Sequence, residues 1–302
     1  MNKSVYQKMQ ETGFNHIVGG GDPREIAQQN FTAVQFLTQL QPDMSVLDFG
    51  CGCGRLALPV LDFLSEQGIY VGVDIIPGLV KFCQDEIAPQ HPNASFFVSA
   101  DRNDLYDKFK TDHGQELPRI NDLLDLGEGS FDVITAFSVF THLKYADAVS
   151  NLAKLARLLK PGGKILLSCF LINSSSRELL AVGNSSTPFG KDVQQDKQIY
   201  FADCREPLTC VGFQERELVM MGHDSGLQPF VTYYGHWCGR PPRHSFQDIM
   251  VFENLVKLPA EFDARRYLQL NPDLPFEATA KGKILAERHF LEHGYKENRA
   301  WK

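Results

Sequence analysis

SVLDFGCGCGR, residues 45–55, carries Val46, Leu47 and Phe49 around one acid, Asp48, and ends on Gly50, Gly52 and Gly54. An apolar, β-favouring run that stops at alternate glycines predicts a buried strand and a tight turn. Leu56, Ala57, Val60, Leu61 and Leu64 then recur at helical spacing, so a helix follows. Glycine permits positive φ and lets a ligand approach the main chain closely, while the first turn of a helix leaves N–H groups unpaired. A ligand lying across residues 50–54, with Cys51 inside the turn, is the expectation. A turn that only permits tight strand–helix packing is the alternative.

Outward from this turn the chain alternates. Residues 69–74, IYVGVD, read as a second buried strand ending in Asp74, about 20 residues after the turn, where an acid hydrogen-bonds ribose hydroxyls. A carboxylate only accepts hydrogen bonds, so it can take both diol protons. Ile75 beside it is counted with the same site. The alternative for Asp74 is a helix N-cap, since Pro77, Leu79, Val80 and Phe82 begin a helix. Residues 94–99 give a third strand, followed by Asp101, Arg102 and Asn103. Residues 131–140 give a fourth, an amphipathic helix spans 146–159, and Lys160-Pro161-Gly162-Gly163 is a turn before a fifth strand at 164–172. Such alternation predicts an α/β fold with a doubly wound parallel sheet. Ligands of such sheets sit outside the carboxyl ends of the strands, which puts Phe137, Ser138, Thr141 and His142 beside the reacting centre. His142 titrates near neutrality and is the candidate general base; a capping or core histidine is the alternative. The alternation in the first strand gives Asp48 the task of ordering the glycine turn from behind.

The dinucleotide fingerprint G-x-G-x-x-G is not met, because Arg55 stands where its last glycine falls. Asp48-x-Gly50-x-Gly52-x-Gly54 instead resembles motif I of class I S-adenosylmethionine (SAM)-dependent methyltransferases. The helix, LKPGG and apolar strand over 146–172 resemble the same family. The stretches around Gly20, 137–143 and 235–248 resemble a bacterial small-molecule and sugar-associated subgroup. The resemblance covers residues 15–254. It implies a doubly wound, seven-stranded, mostly parallel Rossmann-like sheet with SAM as methyl donor. By resemblance, Asp101 sits at the adenine amino group and the backbone N–H of Arg102 meets a ring nitrogen. A sixth strand is expected at 214–221 and a last, antiparallel strand at 246–253. The insertion at about 173–245 is expected to cap the substrate. Its aromatic and histidine run offers Trp237 as core and at least one of His223, Tyr234 and His236 as pocket, with His236 a second candidate base. In the arm and helix over 1–43, Gly19-Gly20-Gly21 is a hinge, and Tyr6, Phe14 and His16 lie on a segment that can fold over the cofactor or pack as an ordinary arm.

Composition narrows the function. A net charge of -7 disfavours tight binding to nucleic acid. No apolar run approaches the roughly 20 residues of a membrane span, and the first residues carry no signal-peptide core. Seven cysteines without an export signal point to a reducing, cytoplasmic compartment. Cys51 and Cys53 lack a second close pair of Cys or His, so no metal site is expected. Residues 255–302 read as two short helices, 262–270 and 280–293, around Asn271-Pro272-Asp273. They resemble a helical module at the ends of bacterial sugar-chain assembly proteins, which implies a docking partner or a packed tail. The expected activity is O-methylation of a small molecule or sugar unit. The alternatives are N-methylation of a small amine or peptide, and a non-catalytic SAM-binding scaffold in glycan assembly.

Overall fold

The computed structural model describes residues 4–101, 105–106, 117–183, 185–187, 189, 199–203, 205–295 and 297–302. They form two compact units, one ending at Glu253 and one spanning Asn254–Lys302. The strands of the first unit are β1 Ser45–Phe49, β2 Ile69–Asp74, β3 Ala94–Ser99, β4 Arg119–Ile120, β5 Phe131–Ala136, β6 Leu159–Cys169, β7 Leu171–Ile172, β8 Ile199–Phe201, β9 Val211–Gln214, β10 Gln228–Tyr233 and β11 Asp248–Glu253. Its helices are α1 Val5–Glu11, α2 Phe14–Ile17, α3 Pro23–Thr38, α4 Ala57–Phe63, α5 Pro77–Glu86, α6 Tyr145–Leu158, α7 Ser174–Val182 and α8 Glu215–Asp224.

The main sheet runs β10-β11-β6-β5-β1-β2-β3-β4. β6, β5, β1, β2, β3 and β4 are parallel neighbours, and β11 is antiparallel to β6 and β10, as expected of the last strand. The chain winds outward from β1 through β4 and then crosses to β5 on the other side. The strand order therefore reverses between β1 and β5, where a crevice opens at the strand ends. Alternation in β1 divides the core. Val46 belongs to one core cluster with Val34 of α3, Val60 of α4 and Val80 of α5, and Leu47 to the other with Leu152 of α6 and Leu218 of α8. Helices thus cover both faces, which is why the central strands are almost continuously apolar.

Four expectations are corrected. Among the described residues the main sheet has eight strands rather than seven, because the two-residue β4 pairs with Val98 and Ser99 at the edge. Residues 214–221 are not the sixth strand but mostly the helix α8, whose buried Leu218, Met221 and Gly222 lie at helical spacing. The strand at that place in the sheet is β10, an edge strand whose register slips between Pro229 and Val231, where a proline is tolerated. The fourth strand ends at Ala136, and Phe140–His142 is a short 3-10 turn. LKPGG is an irregularity inside β6 rather than a separate turn. Leu159 pairs with Phe131 and Lys164 with Val133, and Gly162 carries the bend at φ +80°. A smaller sheet, β7-β9-β8, stands apart from the main one.

In the second unit α9 Ala264–Leu270 and α10 Ala280–His289 close on a core containing Tyr267, Leu268 and Phe290. Asp263 caps α9 by accepting from the N–H groups of Arg265 and Arg266.

Candidate functional site

The glycine turn adopts φ of +81° at Gly50, +56° at Gly52 and +80° at Gly54. It is tied to the end of β2. The N–H groups of Gly50 and Cys51 donate to the Val73 carbonyl at 2.8 and 3.0 Å. The N–H of Gly52 donates to Asp74 Oδ2 at 2.9 Å, and that of Ile76 to Asp74 Oδ1 at 2.9 Å. A Cβ on Gly50 would stand 2.3 Å from Val139 Cγ2. At Gly54 a Cβ would meet Ile87 and the Cys83 thiol instead, so Gly54 serves strand–helix packing. Burial raises the Asp74 carboxyl above its ordinary range, opposed by the N–H groups of Ile76, Gly52 and Ile75. Asp74 is not the helix cap. The cap of α5 is Ile76, which makes no side-chain cap bond.

A cleft of about 720 Å³ opens at the carboxyl ends of β1, β2, β3 and β5. It brings together the expected Asp48, Gly50, Cys51, Gly52, Asp74, Ile75, Asp101, Phe137 and His142, with Ser138 and Thr141 beside them. Asp101 accepts a hydrogen bond from Ser99 Oγ at 2.9 Å. Gly54 and His236 do not line the cleft, and Arg102 lies outside the described residues. His236 stands behind Phe246, ring centroids 5.5 Å apart, and its Nδ1 is buried without a hydrogen-bond partner. His223 and Tyr234 also lie off the cleft; Tyr234 donates to Glu215 Oε1 at 2.6 Å. Trp237 is fully buried and donates to Asp248 Oδ2 at 2.7 Å. Among the described residues no cluster of His, Cys, Asp and Glu can hold a metal ion.

Asp48 does not order the glycine turn. It accepts from Tyr70 Oη on β2 and Thr135 Oγ1 on β5, both at 2.7 Å, and so clamps the three central strands. The register sets this up, since Asp48 pairs with Gly72 on one side and Thr135 on the other. Burial pushes its carboxyl up to about 6 against the pull of these two hydroxyls.

Arg55, which breaks the dinucleotide fingerprint, reaches the N-terminal arm. Its guanidinium donates to the carbonyls of Val18 at 2.5 Å and Gly20 at 3.2 Å. This fastens residues 16–19 along the cleft, which His16, Ile17, Val18 and Gly19 line. Phe14 packs instead edge-on against Phe82 at 5.7 Å, and Tyr6 lies under Arg24. The signal available was a cation in a glycine turn, with three consecutive glycines in the arm before it.

His142 Nδ1 lies 2.9 Å from the Leu208 carbonyl. A carbonyl only accepts, so Nδ1 carries the proton and Nε2 the lone pair. Burial lowers the basicity of this imidazole, and the Leu208 bond opposes that shift. Ser138 is held at φ +56° while its N–H donates to Ser168 Oγ at 2.7 Å. A non-glycine residue in that region is costly and is kept there by its surroundings.

The first unit has a Rossmann-like methyltransferase fold, and residues 47–165 match the family model described as "Methyltransferase domain". The ubiquinone biosynthesis O-methyltransferase of Xanthomonas oryzae pv. oryzae is 30% identical over 139 residues, 46% of this chain and 48% of that protein. The ribosomal protein L11 methyltransferase of Neisseria meningitidis serogroup B is 30% identical over 142 residues, 47% of this chain and 37% of that protein. The chain thus spans less than half the length of these curated relatives. A solved chain in the complex of a Haloferax volcanii methyltransferase activator with a methyltransferase superposes with a TM-score of 0.52 at 14% identity, over 84% of this chain and 99% of that one.

Proposed function

We propose that this protein binds SAM in the cleft and transfers its methyl group to an oxygen of a small-molecule acceptor. The observation that carries the reading is the Asp74 carboxylate. It holds the glycine turn through Gly52 and lines the same cleft as Asp101. Asp74 accepts from the N–H groups of Gly52 and Ile76, with that of Ile75 also acting on it, and its remaining acceptor capacity takes the ribose hydroxyls. Asp101 receives the adenine amino group, Ile75 flanks the nucleoside, and Gly50, Cys51 and Gly52 line the path of its amino-acid end, with Phe137 near the reacting centre.

SAM supplies a methyl group already activated on a sulfonium. The protein's own task is therefore orientation and exclusion of water. The Arg55-anchored arm closes one side of the cleft. His142 has its proton on Nδ1 and accepts the acceptor's hydroxyl proton at Nε2. A neutral imidazole suits an oxygen nucleophile better than an amine, which needs no base. The name of the O-methyltransferase relative fits the same choice.

A saccharide acceptor, a docking partner for residues 255–302 and a cytoplasmic setting belong to the same proposal and rest on the sequence alone. Among the described residues no helix is long and apolar enough to cross a membrane. Calorimetry with SAM and with NAD tests the cofactor: SAM binding without NAD binding is the expected result, and the reverse overturns the reading. Release of S-adenosylhomocysteine with a panel of hydroxylated acceptors separates an enzyme from a binding scaffold.

A further inference from the structure

Gln247 lines the cleft and meets two hydroxyls. Ser168 Oγ lies 2.6 Å from Gln247 Oε1, and Ser138 Oγ lies 3.2 Å from it. Ser168 Oγ accepts the N–H of Ser138 and donates to Gln247 Oε1, and Ser138 Oγ donates to the same oxygen. The Nε2–H₂ group of Gln247, a double donor, is thereby turned away from both serines, and Gln247 lines the cleft. Phe246 and Phe170 line the same wall, their rings edge-on with centroids 6.1 Å apart. Every described residue that the chain after residue 165 gives to the cleft is uncharged: Phe170, Thr187, Thr209, Cys210, Phe246 and Gln247. This wall of aromatic edges, hydroxyls and one carboxamide carries no charge and suits an uncharged group, while the cleft's Asp147 and Lys154 lie apart from it on α6.

We propose that Gln247 orients the acceptor: its Nε2–H₂ donates to an oxygen of an uncharged ring bearing neighbouring hydroxyls, which lies along Phe170 and Phe246. This rests on the cleft being the SAM site. The ring chemistry is shared by polyphenols and by sugars, and both present a flat face and vicinal oxygens to such a wall. Locking Oε1 in advance removes the amide's freedom to flip and aims the donor before the acceptor arrives.

The test uses the full chain saturated with S-adenosylhomocysteine. Methyl gallate and methyl α-glucopyranoside are the probes, each titrated by calorimetry into the wild type, Gln247→Glu and Gln247→Met. Glutamate keeps an acceptor for the two serines but has no N–H; methionine keeps the length and has neither. At least one probe is expected to bind the wild type, and both variants to weaken it by about fivefold or more, the scale of one lost hydrogen bond. Their affinity for S-adenosylhomocysteine stays within about twofold of wild type, a change well under one hydrogen bond. Binding of only one probe identifies the ring. Failure of both probes at millimolar concentration, equal probe affinity in wild type and variants, or a parallel loss of S-adenosylhomocysteine affinity in both variants overturns the role of Gln247. Failure of the wild type to bind S-adenosylhomocysteine instead overturns the cofactor reading.

Discussion

The backbone N–H of Gly52 donates to Asp74 Oδ2 at 2.9 Å, across 22 residues of sequence. One carboxylate at the end of β2 thereby fixes the turn that ends β1. With Val73 accepting from Gly50 and Cys51, the turn hangs on β2 by three hydrogen bonds, beside its own Gly54 N–H to Cys51 carbonyl bond. Ligand contact and turn geometry share a side chain, so disturbing one disturbs the other.

Asp74→Ala is expected to weaken S-adenosylhomocysteine by ~1–3 kcal/mol, the scale of charge-assisted hydrogen bonds. Asp74→Asn is expected to rescue little of this. An amide has one oxygen for two N–H donors, Gly52 and Ile76, and its own donor then faces one of them. Calorimetry on both variants checks this; near-wild-type affinity in Asp74→Asn would show that the carboxylate is not needed.

Arg55→Met should free the arm from the cleft. It removes the donors to Val18 and Gly20, and hydrogen bonds to a charged group contribute a net of about 1.5–3 kcal/mol each. Backbone hydrogen exchange over residues 14–21 is expected to accelerate, while exchange in β1 and β5 stays slow. Unchanged protection of the arm would mean that Asn15 and the glycines hold it without Arg55.

His142→Ala should lower turnover by ~10²–10⁴-fold, the usual contribution of a general base, with little change in S-adenosylhomocysteine affinity. Burial lowers the pKa of His142 below its ordinary value, so the base is already neutral at pH 7. Activity is therefore expected to be flat above neutrality and to fall as pH drops through the depressed pKa. A pH–rate profile that keeps rising between pH 7 and 9 would assign the proton to another group.

Asp48 predicts a pH dependence of stability with a definite sign. Its carboxyl is raised to about 6 from a value of 3.8, so the folded protein holds a proton that the unfolded chain releases. The stability from this group is present below the unfolded pKa and is lost as pH rises through about 6. A shift of this size corresponds to ~3 kcal/mol. Asp48→Asn should remove that part of the pH dependence, read from denaturant unfolding between pH 4 and 7. Parallel curves for both proteins would mean that Tyr70 and Thr135 stabilise the charge fully.

The strands β1, β2, β3, β5 and most of β6 were legible because each is an apolar run that ends on glycine, an acid or a polar turn. Where a segment must be judged by period, the sequence misled. Leu218 and Met221 looked apolar enough for a strand but pack at helical spacing, while the true strand β10 falls inside the stretch read as a capping insertion. The cleft residues at strand ends were readable from the turn and from spacing. The partners of Asp48 were not, because Tyr70 and Thr135 meet it only through inter-strand register. Gly54 and Arg55 look like cofactor-turn residues in sequence, yet one faces α5 and the other the N-terminal arm, a distinction made by tertiary packing. His236 sits in an aromatic run like that of a pocket, but Phe246 stands between it and the cleft.

A crystal structure grown with S-adenosylhomocysteine tests the central claim most directly. The account predicts the nucleoside across the turn at residues 50–54, its ribose hydroxyls within hydrogen-bond distance of Asp74 and its adenine beside Asp101. A nucleoside bound elsewhere, or Asp74 turned away from the ribose with Gly52 as its only contact, would contradict it.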